Sequence, residues 1–171
     1  RPDLVLASYA GLVVFRAGNN TGFDYLPDPI YPLLKDLRGM VLADLDGDQI
    51  LDLAIARKHG TGLMGVISVM RGTAQGRFLI ASDYYIGDLP GPIVAADVNG
   101  DGRLDLLSSS ENKTQVLLNT QDGEFSAALL LGAGARYPTI AVGDFNHDRK
   151  PDFVGFNDAS SSVQIVINTS Y

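Results

Sequence analysis

The stretch Asp97-Val98-Asn99-Gly100-Asp101-Gly102-Arg103-Leu104-Asp105 decides how the whole chain is read. It places short oxygen-bearing side chains at loop positions 1, 3, 5 and 9, with glycine at positions 4 and 6. Such a loop can curl round a hard cation, and Ca²⁺ takes six to eight oxygens at about 2.3–2.6 Å. Glycine at 4 and 6 permits the tight turns that aim alternate side chains inward. At position 7, Arg103 offers only its backbone carbonyl.

The same grammar occurs twice more. Asp44-Leu45-Asp46-Gly47-Asp48-Gln49-Ile50-Leu51-Asp52 begins 53 residues earlier, and Asp144-Phe145-Asn146-His147-Asp148-Arg149-Lys150-Pro151-Asp152 begins 47 residues later. One acidic nonapeptide is as readily a solvated turn as a ligand set. Three copies of Asp-x-Asp/Asn-x-Asp-x-x-x-Asp are a repeat. A period in this range points to stacked or radial units.

Composition narrows the function classes. The chain has 171 residues, 46% of them hydrophobic, which suits one domain or one section of a repeat protein. No apolar run reaches the roughly 18 residues a spanning helix needs. Arg1-Pro2-Asp3 shows no signal-peptide pattern, although a mature chain would have shed one. A net charge of −7 argues against a phosphate-backbone partner, so no nucleic acid is expected. Ten of the 20 acidic residues lie in the three loops, and three Ca²⁺ would bring the total to about −1. The acidity is accounted for by ligands.

Cysteine is absent, which removes disulfides, thiolate catalysis and Cys-type zinc sites. Loops of this kind fill best where Ca²⁺ is abundant, since extracellular modules work at affinities of about 10⁻⁴–10⁻³ M. A secreted or cell-surface location is therefore expected. Sequons at Asn19, Asn112 and Asn168 add weak support.

Short strands follow the loops in a fixed order. Asp52–Ala56, Asp105–Ser109 and Asp152–Phe156 come directly after them. The opening Asp3–Ala7 resembles these, which makes Asp3 position 9 of a truncated fourth loop. A second strand comes next in each unit, at Gly11–Arg16, Gly65–Met70, Thr114–Leu118 and Ser162–Ile167. Gly22-Phe23, Gly76-Arg77-Phe78 and Gly123-Glu124-Phe125 then mark turns. Gly39–Ala43, Pro92–Ala96 and Thr139–Gly143 lead into the loops. Pro27–Leu37 is a proline-rich surface excursion, and no segment reads as a helix.

Four short strands in about 50 residues describe one propeller blade. The expected fold is all-β: four-stranded antiparallel β-propeller blades, about three and a half of them. The segment is either open or part of an assembled propeller of about seven. Its divisions are a partial blade at 1–38, blades at 39–91 and 92–138, and a partial blade at 139–171.

These residues resemble the FG-GAP/VCBS repeat family, the Ca²⁺-loop propellers that include the integrin α-subunit head. The resemblance covers nearly the whole chain. It implies side-chain ligands at positions 1, 3, 5 and 9 and a carbonyl at position 7. The implied first site is Asp44, Asp46, Asp48, Asp52 and the Ile50 carbonyl. The second is Asp97, Asn99, Asp101, Asp105 and the Arg103 carbonyl, and the third is Asp144, Asn146, Asp148, Asp152 and the Lys150 carbonyl. About three Ca²⁺ per chain follow. Gln49, His147 and Arg149 stand where the family prefers glycine, which makes the middle loop the expected strongest binder.

Rival motifs fail on context. An EF-hand needs a Glu at position 12 and flanking helices, whereas Ile55, Ser108 and Gly155 stand there inside strands. Dockerin-like pairs fail similarly. Gly60-Thr61-Gly62-Leu63-Met64-Gly65 matches G-x-G-x-x-G but leads into a strand, so it reads as a hairpin connection. The two histidines, His59 in a polar turn and His147 at loop position 4, offer no catalytic pairing, and no G-x-S-x-G elbow is present. Tyr31, Tyr84, Tyr85 and Tyr137 read as packing residues before ligand contacts.

The reading is a non-catalytic, calcium-stabilised binding module for protein or cell-surface recognition. Its alternatives are a propeller-type lectin and an accessory domain of a secreted polysaccharide-degrading enzyme. Incomplete end blades leave strand edges that proteins avoid. A homo-oligomer, or the remainder of a larger propeller, is therefore the expected partner, with a protein or glycan ligand at the propeller faces.

Overall fold

Runs of Val, Ile, Leu and Ala bounded by Gly, Asp and Ser cannot bury their apolar surface as isolated strands, so they pair and then stack. The computed structural model describes residues 4–8, 11–17, 23–26, 36–60, 64–111, 113–133 and 136–170. Over these the fold is all-β, in several small antiparallel sheets. Sheet 1 is β1 (Leu4–Ser8), β2 (Gly11–Ala17) and β3 (Phe23–Leu26). Sheet 2 is β4 (Leu37–Ala43), β5 (Asp52–Lys58), β6 (Gly65–Gly72) and β7 (Phe78–Gly87), in that order.

Sheet 3 runs β8 (Pro90–Ala96), β9 (Asp105–Ser110), β10 (Lys113–Leu117) and β13 (Leu129–Ala133). A small hairpin, β11 (Asn119–Gln121) with β12 (Glu124–Phe125), interrupts it. Sheet 4 is β14 (Thr139–Gly143), β15 (Asp152–Asn157) and β16 (Ser162–Val166).

One register repeats at each acidic loop. Ala43 pairs with Asp52, Ala96 with Asp105 and Gly143 with Asp152, so each loop spans the same closed strand end. The three loops are therefore geometrically equivalent as well as similar in sequence.

Side chains alternate across a strand, and here both faces are buried. Loop position 10 packs on the preceding sheet: Leu53 joins Val5, Leu12 and Val14 of sheet 1. Leu106 joins Ala54, Ala56, Ile67 and Val69 of sheet 2, and Phe153 joins Leu107 and Val116 of sheet 3. Position 11 faces the following sheet, as Val5, Ala54 and Leu107 show. The sheets thus stack in chain order.

Among the described residues, nothing further covers the two ends of the stack. Leu4 and Leu6 on the outer face of sheet 1 are 39% and 45% exposed, and Phe156, Val163 and Ile165 on that of sheet 4 are 42%, 68% and 54% exposed. No ring closes among the described residues.

One detail departs from the sequence reading. Phe78 opens the fourth strand of sheet 2, whereas Phe125 sits in the separate β11–β12 hairpin and β13 begins only at Leu129. The tight Thr73–Arg77 turn, held by Thr73 N–H on Arg77 O at 2.9 Å, returns directly. The longer segment after β10 instead folds over the neighbouring loop. Gly65 opens β6, a strand, so the glycine motif presents no helix N-terminus. Asp3, Asn19, Tyr31, Asn112 and most of the proline-rich excursion lie outside the described residues.

Leu53 is fully buried between sheets 1 and 2, and Leu-to-Ala changes at such sites cost about 2–5 kcal/mol. Urea unfolding should show a loss of this size for Leu53→Ala. Val163→Ser, on an uncovered face, should stay within about 0.5 kcal/mol.

Candidate metal centre

Each loop is built by its own aspartates. Asp97 Oδ1 accepts the N–H groups of Gly100 (2.8 Å) and Asp101 (3.1 Å), and its Oδ2 accepts that of Gly102 (2.8 Å). Asp44 accepts Gly47 and Gln49 in the same way, at 2.8 and 2.9 Å, and Asp144 accepts Asp148 and Arg149 at 3.0 and 2.9 Å. Position 5 in turn accepts the position-7 amide: Ile50 on Asp48, Arg103 on Asp101 and Lys150 on Asp148.

These turns demand left-handed backbone at positions 4 and 6. Gly47, Gly100 and Gly102 have φ of 83°, 76° and 84°. Gln49, His147 and Arg149 adopt the same region, at 69°, 64° and 69°, with the penalty a Cβ brings there.

The turns gather oxygens. In the first loop Asp44, Asp46 and Asp48 each offer a carboxylate oxygen, all within 4.8 Å of one another. Oxygens about 2.3–2.6 Å from one ion lie at most about 5 Å apart, so this spacing fits a shared Ca²⁺-sized cation. In the second loop the Asp101 N–H is shared between Asp97 Oδ1 and Asn99 Oδ1, both at 3.1 Å. In the third, Asp148 N–H is shared between Asp144 Oδ1 and Asn146 Oδ1, both at 3.0 Å. Positions 1 and 3 therefore converge in all three loops. Arg103 Nη2 and Asn99 Nδ2 both donate to Asp101 Oδ2.

The sequence profile of the FG-GAP-like repeat matches residues 44–108 and, overlapping, 97–155. The chain belongs to the FG-GAP-like repeat family. Among solved structures, one titled for specific recognition of non-reducing terminal N-acetylglucosamine by an Agrocybe aegerita lectin aligns with a TM-score of 0.56 and 21% identity. The alignment covers 98% of this chain and 49% of the lectin, so this FG-GAP chain spans about half the lectin's length. No curated protein matches.

Position 9 is buried more deeply than the triad. Asp52, Asp105 and Asp152 are at most 1% exposed, and each carboxylate accepts two backbone N–H groups. Oδ2 takes position 2 of the loop: Leu45 at 2.9 Å, Val98 at 3.0 Å and Phe145 at 2.9 Å. Oδ1 takes the residue after the third strand's pairing: Gly72, Asn119 and Asn168, each at 2.8 Å. The role of position 9 as a linchpin of three segments escaped the sequence reading, because those donors lie 14 to 20 residues away.

The candidate aromatics pack as follows. Tyr84 meets Phe125 edge-on and donates to Glu124, and Tyr137 meets Phe153 edge-on and donates to Gln164. Tyr85 is 55% exposed beside His59.

Gln49→Gly should raise stability by about 0.5–1 kcal/mol, and Arg149→Gly likewise, by relieving the positive-φ penalty. Thermal melts in EDTA read this without a metal contribution.

Burial pushes the Asp52 and Asp105 carboxyls up, opposed by their N–H donors and helped by the loop carboxylates nearby. The Arg103 N–H holds Asp101 down, and the Asn146 amide does the same for Asp148. In chelated protein, carboxyl NMR should find Asp105 titrating above the ordinary 3.8 and Asp101 below it. Folded Asp105 then keeps its proton where the unfolded chain has lost it. Its contribution is present at low pH and is lost as pH rises through that interval.

Proposed function

We propose that the chain is a calcium-stabilised section of a β-propeller that binds carbohydrate and carries out no chemistry. The loops supply oxygen ligands of the hard type Ca²⁺ prefers: positions 1, 3 and 5, with Asp52, Asp105 and Asp152 completing or buttressing the shell and the Ile50, Arg103 and Lys150 carbonyls available at position 7. Bound calcium would neutralise clustered carboxylates and hold the loops rigid, so it stabilises the fold by linkage. Glycine at positions 4 and 6 makes the middle loop the tightest of three sites. A secreted or cell-surface setting suits such affinities.

The observation that carries the ligand reading lies at the other end of the strands. A pocket of about 170 Å³ forms where β4, β8 and β14 begin, lined among others by Arg38, Pro90, Ser109, Glu111, Arg136 and Pro138. Pockets for drug-sized ligands run to about 300–1,000 Å³, so this one suits a single small ring. Guanidinium, carboxylate and hydroxyl groups can pair with sugar hydroxyls, while the prolines offer apolar surface to ring C–H groups.

A larger cleft, about 570 Å³, lies between loops 97–105 and 144–152. One sheet earlier the β11–β12 hairpin lies against the corresponding loop, with a Gly123 Cβ position 3.2 Å from Asp46 Cβ. A groove at that register is one the fold fills with its own backbone.

The lectin-like fold favours the glycan reading over adhesion-type protein recognition, which the sequence had placed first. The uncovered faces of sheets 1 and 4 suit further sheets of this kind, from a longer polypeptide or a second copy.

A glycan array followed by calorimetry tests the proposal. A glycan hit should weaken at least about tenfold in Arg136→Ala and in Glu111→Gln, a loss of about 1.4 kcal/mol. Both variants should keep the wild-type melting temperature. No glycan binding in a folded, calcium-loaded protein would overturn it.

A further inference from the structure

We propose that Asn119 and Asn168 couple consecutive metal loops, so that a cation ordering one loop also orders the loop of the preceding sheet. This rests on the calcium reading above.

Asn119 follows the third strand of sheet 3 and is 1% exposed. Its backbone N–H donates to Asp105 Oδ1, at position 9 of its own sheet's loop, at 2.8 Å. Its side-chain Nδ2 crosses to the preceding sheet and donates to Leu45 O at 2.7 Å, as well as to Leu104 O at 3.2 Å. Leu45 lies between the ligand positions Asp44 and Asp46, and its own N–H is held by Asp52 at 2.9 Å. One residue therefore touches both loops.

Asn168 repeats the arrangement one sheet later. Its N–H donates to Asp152 Oδ1 at 2.8 Å, and its Nδ2 donates to Val98 O, between Asp97 and Asn99, at 2.9 Å. Ser170 Oγ donates to the same carbonyl at 3.0 Å. The links run from loop 144–152 to loop 97–105 and on to loop 44–52. Sheet 2 carries Gly72 at the equivalent place, where a Cβ would stand 2.2 Å from Leu51 O, so no such side chain reaches toward sheet 1.

The amide orientation at Asn119 is fixed by its acceptors. Turning it over would set an oxygen against two carbonyls. As it stands, Oδ1 is buried without a partner among the described residues. The two amide hydrogens of Asn119 go one to each loop, to Leu45 O and to Leu104 O.

The coupling follows from ordering. A cation that orders loop 97–105 orders the Leu104 carbonyl and the Asp105 anchor that hold Asn119, hence the carbonyl Asn119 holds in loop 44–52. A second cation then costs less conformational entropy to bind, which is positive cooperativity, and the effect is reciprocal.

Hydrogen exchange read by mass spectrometry on the full chain tests this locally. Asp48→Ala disables loop 44–52, so added Ca²⁺ acts only through the other loops. Exchange should slow about fivefold or more in 97–105 and also, by transfer, in 44–52. Adding Asn119→Ala should abolish the second effect and leave the first. Asn168→Ala in an Asp101→Ala background reads the other link, and serves if the Asn119 variant fails to fold. Slowing in 97–105 without slowing in 44–52, or transfer that survives Asn119→Ala, overturns the coupling and leaves the calcium reading intact. No slowing in any loop overturns both.

Discussion

A buried aspartate at the ninth loop position holds each repeat together. A carboxylate with almost no solvent contact is costly unless its oxygens are met by donors. Asp52, Asp105 and Asp152 meet this condition with two backbone N–H groups each, one from the loop's entry and one from the far end of the third strand. Three chain segments converge on one side chain. The oxygens at positions 1, 3 and 5 are shaped above that anchor, which is why the loop geometry repeats so closely despite different residues at positions 4 and 6.

The second constraint is burial on both faces of the strands. Alternation sends position 10 toward the preceding sheet and position 11 toward the following one. Each sheet therefore needs two neighbours, and among the described residues the outermost faces stay apolar and partly exposed. The same directionality separates the two ends of the molecule. Acidic loops occupy the end where first strands finish, and the pocket with Arg38, Glu111 and Arg136 occupies the end where they begin. The oxygen cluster and the pocket thus lie at opposite ends of the same strands.

Much of this was legible in the residues. The aspartate spacing announced the loops, and apolar runs after each announced the strands, because both signals are local and repeat in register. Glycine at 4 and 6 announced the left-handed turns, and the structure extends that conformation to Gln49, His147 and Arg149. Local pattern failed in the third repeat. Gly123-Glu124-Phe125 looks like Gly76-Arg77-Phe78, yet the first lies in a separate hairpin and the second opens a sheet strand. The difference lies in what each segment packs against.

By itself, the sequence determined the repeat, the family, the all-β class and the acidic triad Asp44, Asp46 and Asp48 that could hold a cation, since each depends on spacing within a few residues. Tertiary structure alone decided that Asn119 reaches the loop of a neighbouring sheet across 74 residues, and that Asp105 is buried beneath its loop. It also decided that Arg38 and Arg136 meet at one pocket. Those outcomes depend on how sheets stack, and a hydrogen bond between distant segments leaves no periodicity in a single chain to read.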